Sequence, residues 1–404
     1  MSGKQQAAEA QEAAAELPRR FTPRRYQLNK RATEALRSGH PWVYRQHMSS
    51  AAAVFADGQW LCLVDGKNDE VGFGLYQARG AVAIRVARGL SGPPSAEWVR
   101  KRVGKALSKR ASLRDETDAF RVIHGESDGL PGVVVDVYGD AVVVQTYCAG
   151  AEAMARLAAA EVAKKLSVSN IVLKPRIRRH GGVVPTRVVR GLVHEPVLVR
   201  EGDMRLAASI LTGQNSGMFL DLRGLRRWIR ARNLKGKRVL NLFSYTGTIG
   251  AAASLAGAAE VWNVDVSAAA LELGREHHQL GGARFEWIAA DVFEWLRLRS
   301  VEPLFDLIIA DPPNMAAEMG QVPAALRTYQ RLYGAARKVL CDDGVVVGSC
   351  SSSRIRPQQV RKALGAGLGR GPRHLQRLPS EVDHPVGFAE ADYLKIFVSE
   401  PVAT

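Results

Sequence analysis

Two short segments of this sequence carry the side chains best equipped for chemistry. Phe305-Asp306-Leu307-Ile308-Ile309-Ala310 reads as a buried strand that Asp311-Pro312-Pro313-Asn314 breaks, and a double proline makes a rigid exit loop just past the edge of a sheet. Asp311 is then a carboxylate aimed at whatever reacts there; the bland reading is a strand terminator. Gly344-Val345-Val346-Val347-Gly348-Ser349-Cys350-Ser351-Ser352 sets Cys350 about one residue past the end of another strand, on the same edge as Asp311 if the two strands are neighbours. A lone cysteine in such a place is ordinarily a small buried hydrophobe. Beside a carboxylate it fits a particular task. A thiolate adding to C6 of a pyrimidine makes C5 electron-rich enough to take a methyl group from a sulfonium, and elimination then frees the enzyme. Asp311 would hydrogen-bond the base and steady the adduct. The runner-up is methylation of a ring or exocyclic nitrogen, which needs no cysteine, although Asn314 lacks the aromatic ring that would stack on a flipped base.

A ligand site precedes these segments. Val239-Leu240-Asn241-Leu242 runs as a strand into the turn Phe243-Ser244-Tyr245-Thr246-Gly247 and then into an Ala-rich helix, Ala251 to Ala256. In a doubly wound sheet this turn lies at the carboxyl edge, where small residues let backbone N–H groups approach a ligand. Asp265 ends the next strand and can accept both hydroxyls of an adenosine ribose. The turn is neither GxGxxG nor a P-loop and offers no cation for phosphates, so the expected ligand is a nucleoside without a pyrophosphate. Asp291, one strand later, reads equally as a contact to the adenine edge and as an N-cap for the helix Val292 to Arg297.

The elements that must position these groups follow from periodicity. From Lys237 onward, strand-like runs at Arg238–Leu242, Glu260–Val264, Phe285–Ile288, Phe305–Ile309 and Val345–Gly348 alternate with helix-length segments, which specifies a parallel sheet covered by helices on both faces. Residues 22–92 read as a small β-rich, barrel-like module built on Trp60–Val64, Val71–Tyr76 and Val82–Val86. Residues 93–119 read as a connector containing a basic helix, Trp98 to Arg114, and residues 120–205 as a small α+β module. Residues 206–404 hold the ligand and chemistry sites, and 1–21 form a disordered tail.

Composition bounds the partners. The 404 residues carry a net charge of +16, which concentrates polyanions at the surface and favours a nucleic-acid partner, with Arg inflation in GC-rich genomes as the competing explanation. No apolar run is long enough for a membrane span, and no export signal is expected. Cys62, Cys148, Cys341 and Cys350 form no metal pattern, so no metal is expected and a reducing cytoplasm fits best. Cys341 sits in an acidic turn that disfavours a thiolate, and Cys62 and Cys148 read as core. The basic stretch from Lys174 through Arg176, Arg178 and Arg179 to Gly182 reads as an RNA-contacting loop or a solvated hairpin. His124 and His384 read as structural. A homodimer is compatible with the sequence.

Across residues 24–398 the chain resembles the bacterial 23S ribosomal RNA large-subunit methyltransferase I family, class I S-adenosylmethionine-dependent 5-methylcytosine rRNA methyltransferases with an N-terminal PUA domain. The resemblance is carried by His40-Pro41-Trp42-Val43-Tyr44 and Gly72 to Tyr76, by Phe120 to Gly132, and by Gly217-Met218-Phe219-Leu220-Asp221-Leu222-Arg223. It continues through the Asn241 to Gly247 loop, Asp311-Pro312-Pro313, Ser349-Cys350-Ser351, Asp383-His384-Pro385 and Tyr393-Leu394-Lys395. It implies a Rossmann-like methyltransferase domain behind a PUA-like β-barrel and a small α+β domain, S-adenosylmethionine as cofactor, and a cytosine of large-subunit rRNA as target. The implied nucleophile is Cys350, with Asp311 as second catalytic residue. Phe219, Asp221 and Arg223 join Asn241, Phe243, Ser244, Tyr245, Thr246, Gly247, Asp265, Asp291, Asp311 and Pro312 as the implied cofactor site. The chain departs from the family where Lys-Thr usually stands (Asn215-Ser216), at Leu222 and Leu225, and at Asn314-Met315, where an aromatic residue is usual. From a different class, an RNA-binding or ribosome-assembly scaffold with a degenerate cofactor fold would account for the charge and these departures.

Overall fold

The fold is that of a computed structural model that describes residues 23–49, 54–90, 92–176, 178–179, 182–212, 216–299, 304–369 and 373–401. The expected tail at 1–21 lies outside the described residues, as do Ile177, His180, Gly181, Asn215 and the side chains of Arg178 and Arg179. Packing divides the chain into two units. One is Met1–Val197 with Ile210–Gln214 and Val382–Phe388; the other is Leu198–Ser209 with Asn215–Glu381 and Ala389–Thr404.

The first unit begins with β1 (Arg24–Gln27), α1 (Lys30–Arg37), β2 (Trp42–Tyr44), β3 (Trp60–Val64), β4 (Glu70–Tyr76) and β5 (Val82–Ala87). Its sheet order is β1-β3-β4-β5-β2. Asn29 caps α1 by accepting from the Ala32 N–H at 2.8 Å, as short polar side chains do at helix starts. Next come α2 (Ala96–Lys109), capped by Ser95, α3 (Leu113–Glu116), β6 (Ala119–His124), β7 (Val133–Tyr138), β8 (Ala141–Thr146), α4 (Glu152–Leu166) and β9 (Asn170–Leu173). A two-residue pair, β10 (Arg178–Arg179) and β11 (Gly182–Val183), precedes β12 (Arg187–Arg190), and the second sheet runs β12-β9-β8-β7-β6.

The basic helix is therefore two helices, and it is no bare strut. Val99, Val103 and Ala106 form one apolar stripe of α2, buried with α4 against β6, β7 and β8. At its end Arg110 turns inward, giving both carboxylate oxygens of Asp128 a hydrogen bond at 2.9 and 2.7 Å and the Asp383 carbonyl one at 3.3 Å. Asp383 also accepts from the Arg121 N–H at 3.0 Å, which accounts for residues 382–388 packing with this unit. His124 and His384 are a pair with rings 5.3 Å apart. Burial, then the neighbouring Arg121, pushes His124 down to about 2, so its ring is neutral. Lys174, read as part of a basic stretch that is an RNA-contacting loop or a solvated hairpin, is instead buried and donates to the carbonyls of Ile210 and Thr212.

The second unit holds a hairpin, β13 (Val197–Glu201) with β14 (Met204–Ala208), then α5 (Arg223–Arg230), β15 (Arg238–Leu242), α6 (Thr248–Leu255), β16 (Glu260–Asp265), α7 (Ala268–His277) and β17 (Arg284–Ala289). There follow α8 (Val292–Leu298), β18 (Phe305–Ala310), α9 (Val322–Arg337), β19 (Leu340–Ser351), α10 (Pro357–Leu368), β20 (Arg373–Leu378) and β21 (Leu394–Pro401). The seven-stranded order is β17-β16-β15-β18-β19-β21-β20. The first five strands are parallel, and β21 is antiparallel to both neighbours. The chain leaves β15 towards β17 and returns on the other side at β18, so the switch point of the sheet opens between the carboxyl ends of β15 and β18, where such folds bind ligands.

β19 is longer than its apolar run. Its pairing with β18 jumps from Phe305↔Leu340 to Leu307↔Val345, so Cys341 lies in a bulge within the strand rather than in a turn before it. At the other end, pairing of Cys350 and Ser351 with Lys395 and Leu394 keeps both residues in the strand. Cys350 is thus inside β19, not past its end.

Candidate active site

The ligand turn joins β15 to α6 with a strained backbone. Phe243 and Tyr245 have φ of 58° and 49°, and Gly247 has 77°; left-handed conformations at non-glycine residues cluster at functional sites. Hydrogen bonds and close packing hold the turn. Asp265, at the end of β16, accepts from the Tyr245 N–H at 2.8 Å and from the Ser267 N–H at 2.9 Å. The Thr246 hydroxyl donates to the Gly217 carbonyl at 2.6 Å. Gly274 of α7 lies so close that a Cβ there would sit 1.7 Å from the Thr246 carbonyl oxygen. Gly247 has no room for a side chain either, since its Cβ would meet the Trp287 ring at 2.7 Å.

Beneath the turn, Asn241 Nδ2 donates to Asn263 Oδ1 at 2.9 Å. Among the described residues, Asn241 Oδ1, Asn263 Nδ2 and Ser244 Oγ are buried with no hydrogen-bond partner, an expensive state that marks a place awaiting polar contacts. Each Asp265 oxygen keeps a further lone pair for a ribose hydroxyl. The turn Asn241 to Gly247 contains no cation. These features fit a nucleoside cofactor, and the turn supplies no cationic side chain for a pyrophosphate. Phe219 is exposed, with its ring 5.5 Å from Tyr245, and Asp221 accepts from the Tyr393 hydroxyl at 2.5 Å. Phe243 packs edge-on against Phe293. Asp291 is the N-cap of α8, accepting from the Glu294 N–H at 2.9 Å. Arg223 is turned into the core, where it donates to Glu381 at 3.2 Å.

β18 and β19 are neighbours, with Ala310 opposite Gly348, so Asp311 stands beside Ser349 and accepts a hydrogen bond from its hydroxyl. A sliver of Asp311 stays open to solvent while its carboxyl is ringed by protein. Burial pushes it up to about 6, against the Ser349 bond, and the Asp221 carboxylate pushes the same way. Pro312 is buried behind it, and Asn314 accepts from the Ala316 N–H at 2.9 Å, closing the exit loop on itself. Side chains alternate along a strand, so Cys350 leaves β19 on the opposite face from Ser349, in a cluster with Tyr329 and Tyr333 of α9. Its thiol has no exposed surface, and burial raises its pKa.

Asp265, the 243–247 turn, Asp311 and Cys350 thus gather around the carboxyl ends of β15, β18 and β19. Sequence reasoning passes over Asn263, Ser349 as a partner of Asp311, Trp287 and Tyr329. Asn263 alone had a local signal, a polar residue inside an apolar strand.

A family model of S-adenosylmethionine-dependent methyltransferases matches residues 145–365, and one of PUA-like domains matches residues 27–88. The chain is 32% identical to a ribosomal RNA large subunit methyltransferase of Deinococcus radiodurans over 94% of this chain and 98% of that one. It is 30% identical to the ribosomal RNA large subunit methyltransferase I of Shewanella denitrificans, over 93% and 98%. Two solved methyltransferase structures, one complexed with SAH and one from Streptococcus mutans, share the fold with a TM-score of 0.81 at 22% identity, covering 93% of this chain and 100% of theirs. The chain belongs to the S-adenosylmethionine-dependent methyltransferases, in the group that carries an N-terminal PUA-like domain and whose relatives are named ribosomal RNA large-subunit methyltransferases.

Proposed function

We propose that this protein methylates C5 of a cytosine in large-subunit rRNA, in the cytoplasm, with Cys350 as nucleophile. The relatives' names support rRNA as the substrate, and the net charge of +16 suits a polyanion. The observation that carries the C5 reading is the placing of Asp311, Ser349 and Cys350 at the same ends of two adjacent strands.

When bound, S-adenosylmethionine supplies a methyl group on a sulfonium, with no other group of the cofactor needed for the chemistry. Asp265 would hold its ribose hydroxyls and the 243–247 turn its polar groups, with Phe219 and Asp221 beside that turn. Asp311 does two things: as a carboxylate it accepts from the cytosine amino group, and as an acid it keeps the ring nitrogen side of the base hydrogen-bonded while charge moves. The Cys350 thiolate would add to C6, making C5 nucleophilic enough to take the methyl group and leave the cofactor as a neutral thioether; water would then take the C5 proton, its electron pair re-forming the C5–C6 double bond while the sulfur–C6 pair returns to Cys350 as thiolate. The Cys350 thiol is fully covered, so the protein packed around it must yield to admit the base.

A second reading, methylation of a base nitrogen without a thiol, draws on one observation: the Cys350 sulfur is fully covered. Cys350→Ala separates the two. The C5 reading expects methyl transfer to rRNA to fall by at least about a thousandfold, as for loss of a covalent nucleophile, and the methylated nucleoside of wild type to be 5-methylcytidine. Retained transfer in Cys350→Ala removes the nucleophile.

A further inference from the structure

Cys350 and Lys395 stand directly opposite each other in the antiparallel pair β19–β21, so their side chains leave the sheet on the same face. That face is the one α9 covers: a Cβ on Gly348, two residues before Cys350, would meet the Tyr333 hydroxyl at 2.5 Å. Lys395 is 2% exposed. Its ammonium donates to the Ser352 carbonyl at 2.6 Å and the Tyr393 carbonyl at 3.3 Å, which brings it to the end of β19 where Cys350 sits. Among the described residues Lys395 makes no ion pair; the nearby Asp392 is bonded to Arg377. A buried ammonium held only by neutral carbonyls is costly. Burial lowers the pKa of Lys395, and the charge that opposes this most is the Cys350 thiolate, ahead of Asp392.

The remaining groups facing the sulfur divide by sign. The Tyr329 hydroxyl, 1% exposed, points at the thiol without closing a full hydrogen bond and, among the described residues, has no other partner. The Ser352 N–H also turns to the sulfur, while Asp311, just past the end of β18, disfavours its negative charge. The Tyr333 hydroxyl lies in the same cluster, also without a partner among the described residues.

We infer that Lys395 is the counter-ion of the Cys350 thiolate and a positioning residue for the nucleophile, offsetting the burial of the sulfur, with the Tyr329 hydroxyl as the donor that turns onto the sulfur once its proton has gone. The step is an ionisation: the S–H bond breaks, the electron pair stays on sulfur, and the proton passes to water. This rests on the reading of Cys350 as nucleophile.

The test is the ultraviolet titration of the thiolate in the full-length protein, taken as the difference between each protein and its Cys350→Ser counterpart. Lys395→Gln keeps a donor for the Ser352 carbonyl and removes the charge. At a given pH it should hold about tenfold less thiolate than wild type, a midpoint about one pH unit higher. Lys395→Arg should restore the midpoint, and Tyr329→Phe should raise it by less. An unmoved midpoint in folded Lys395→Gln overturns the inference. If that variant does not fold, the reciprocal measurement stands in its place, since coupling between two titrating groups is mutual. Carbon-13 titration of Lys395 should then give a higher midpoint in wild type than in Cys350→Ser, and equal midpoints overturn the inference. Activity of Cys350→Ala tells the two failures apart: retained transfer removes the nucleophile itself, whereas an inactive Cys350→Ala with an unmoved midpoint removes only the role of Lys395.

Discussion

Asp311 holds its proton longer than an aspartate in water does, because its carboxyl is desolvated and faces Asp221. Its folded pKa, about 6, lies above the ordinary value of 3.8. The stabilisation from that proton is present in full below the unfolded value and is lost as pH rises through about 6. Asp311→Asn removes a buried charge, so it should be more stable than wild type at pH 8 by about 3 kcal/mol, with the gain fading towards pH 4 and methyl transfer lost. Thermal unfolding across that range checks it, and a gain that grows towards low pH would contradict it. A cationic cofactor beside Asp311 favours the ionised carboxylate. S-adenosylmethionine should therefore bind more weakly at pH 5 than at pH 7 by calorimetry, and Asp311→Asn should flatten that dependence.

The ligand turn depends on α7 as much as on its own residues. Gly274 lets the helix lie against the Thr246 carbonyl, and a Cβ there would collide with backbone rather than with a flexible side chain. Gly274→Ala should cost about 1–3 kcal/mol of stability, as overpacking does, and weaken S-adenosylmethionine binding by displacing the turn; unchanged binding would detach α7 from the site. The parallel strands β15, β16 and β18 are legible in the sequence because strands buried on both faces are continuous apolar runs, and Asp265 and Asp311 follow as the residues that end them. β20 and β21 are not. Arg373 to Leu378 is mostly polar and pairs only with β21, which itself depends on pairing with β19, far from it in sequence. That pairing also decides where β19 ends, so the position of Cys350 inside the strand and its face toward α9 could not be read locally. Asp291 was open between two roles, and its capping bond to Glu294 is the one the fold displays.

At the scale of the whole chain, the positive charge is only partly a surface property. Arg110, Arg223 and Arg226 are fully buried on Asp128, Glu381 and Glu201, and so join structural networks instead of a polyanion-binding face. Arg110 is the clearest case, because it links α2 to β6 through the Arg121 carbonyl, to Asp128, and to the Asp383 carbonyl of the 382–388 segment. Arg110→Ala leaves Asp128 buried and short of its bidentate partner, so urea unfolding should show a loss of about 3–5 kcal/mol, with faster amide exchange at residues 382–388. A loss below about 1 kcal/mol would mean that the segment is held by other contacts.

The most direct test of the account is covalent trapping with rRNA in which cytosine is replaced by 5-fluorocytosine, whose C5 fluorine cannot leave as a proton does. In the presence of S-adenosylmethionine, wild type should form a stable protein–RNA adduct that peptide mass spectrometry assigns to Cys350, and Cys350→Ala should form none. Methylation of ordinary rRNA by wild type with no adduct on the fluorinated RNA, or an adduct on another residue, would contradict it.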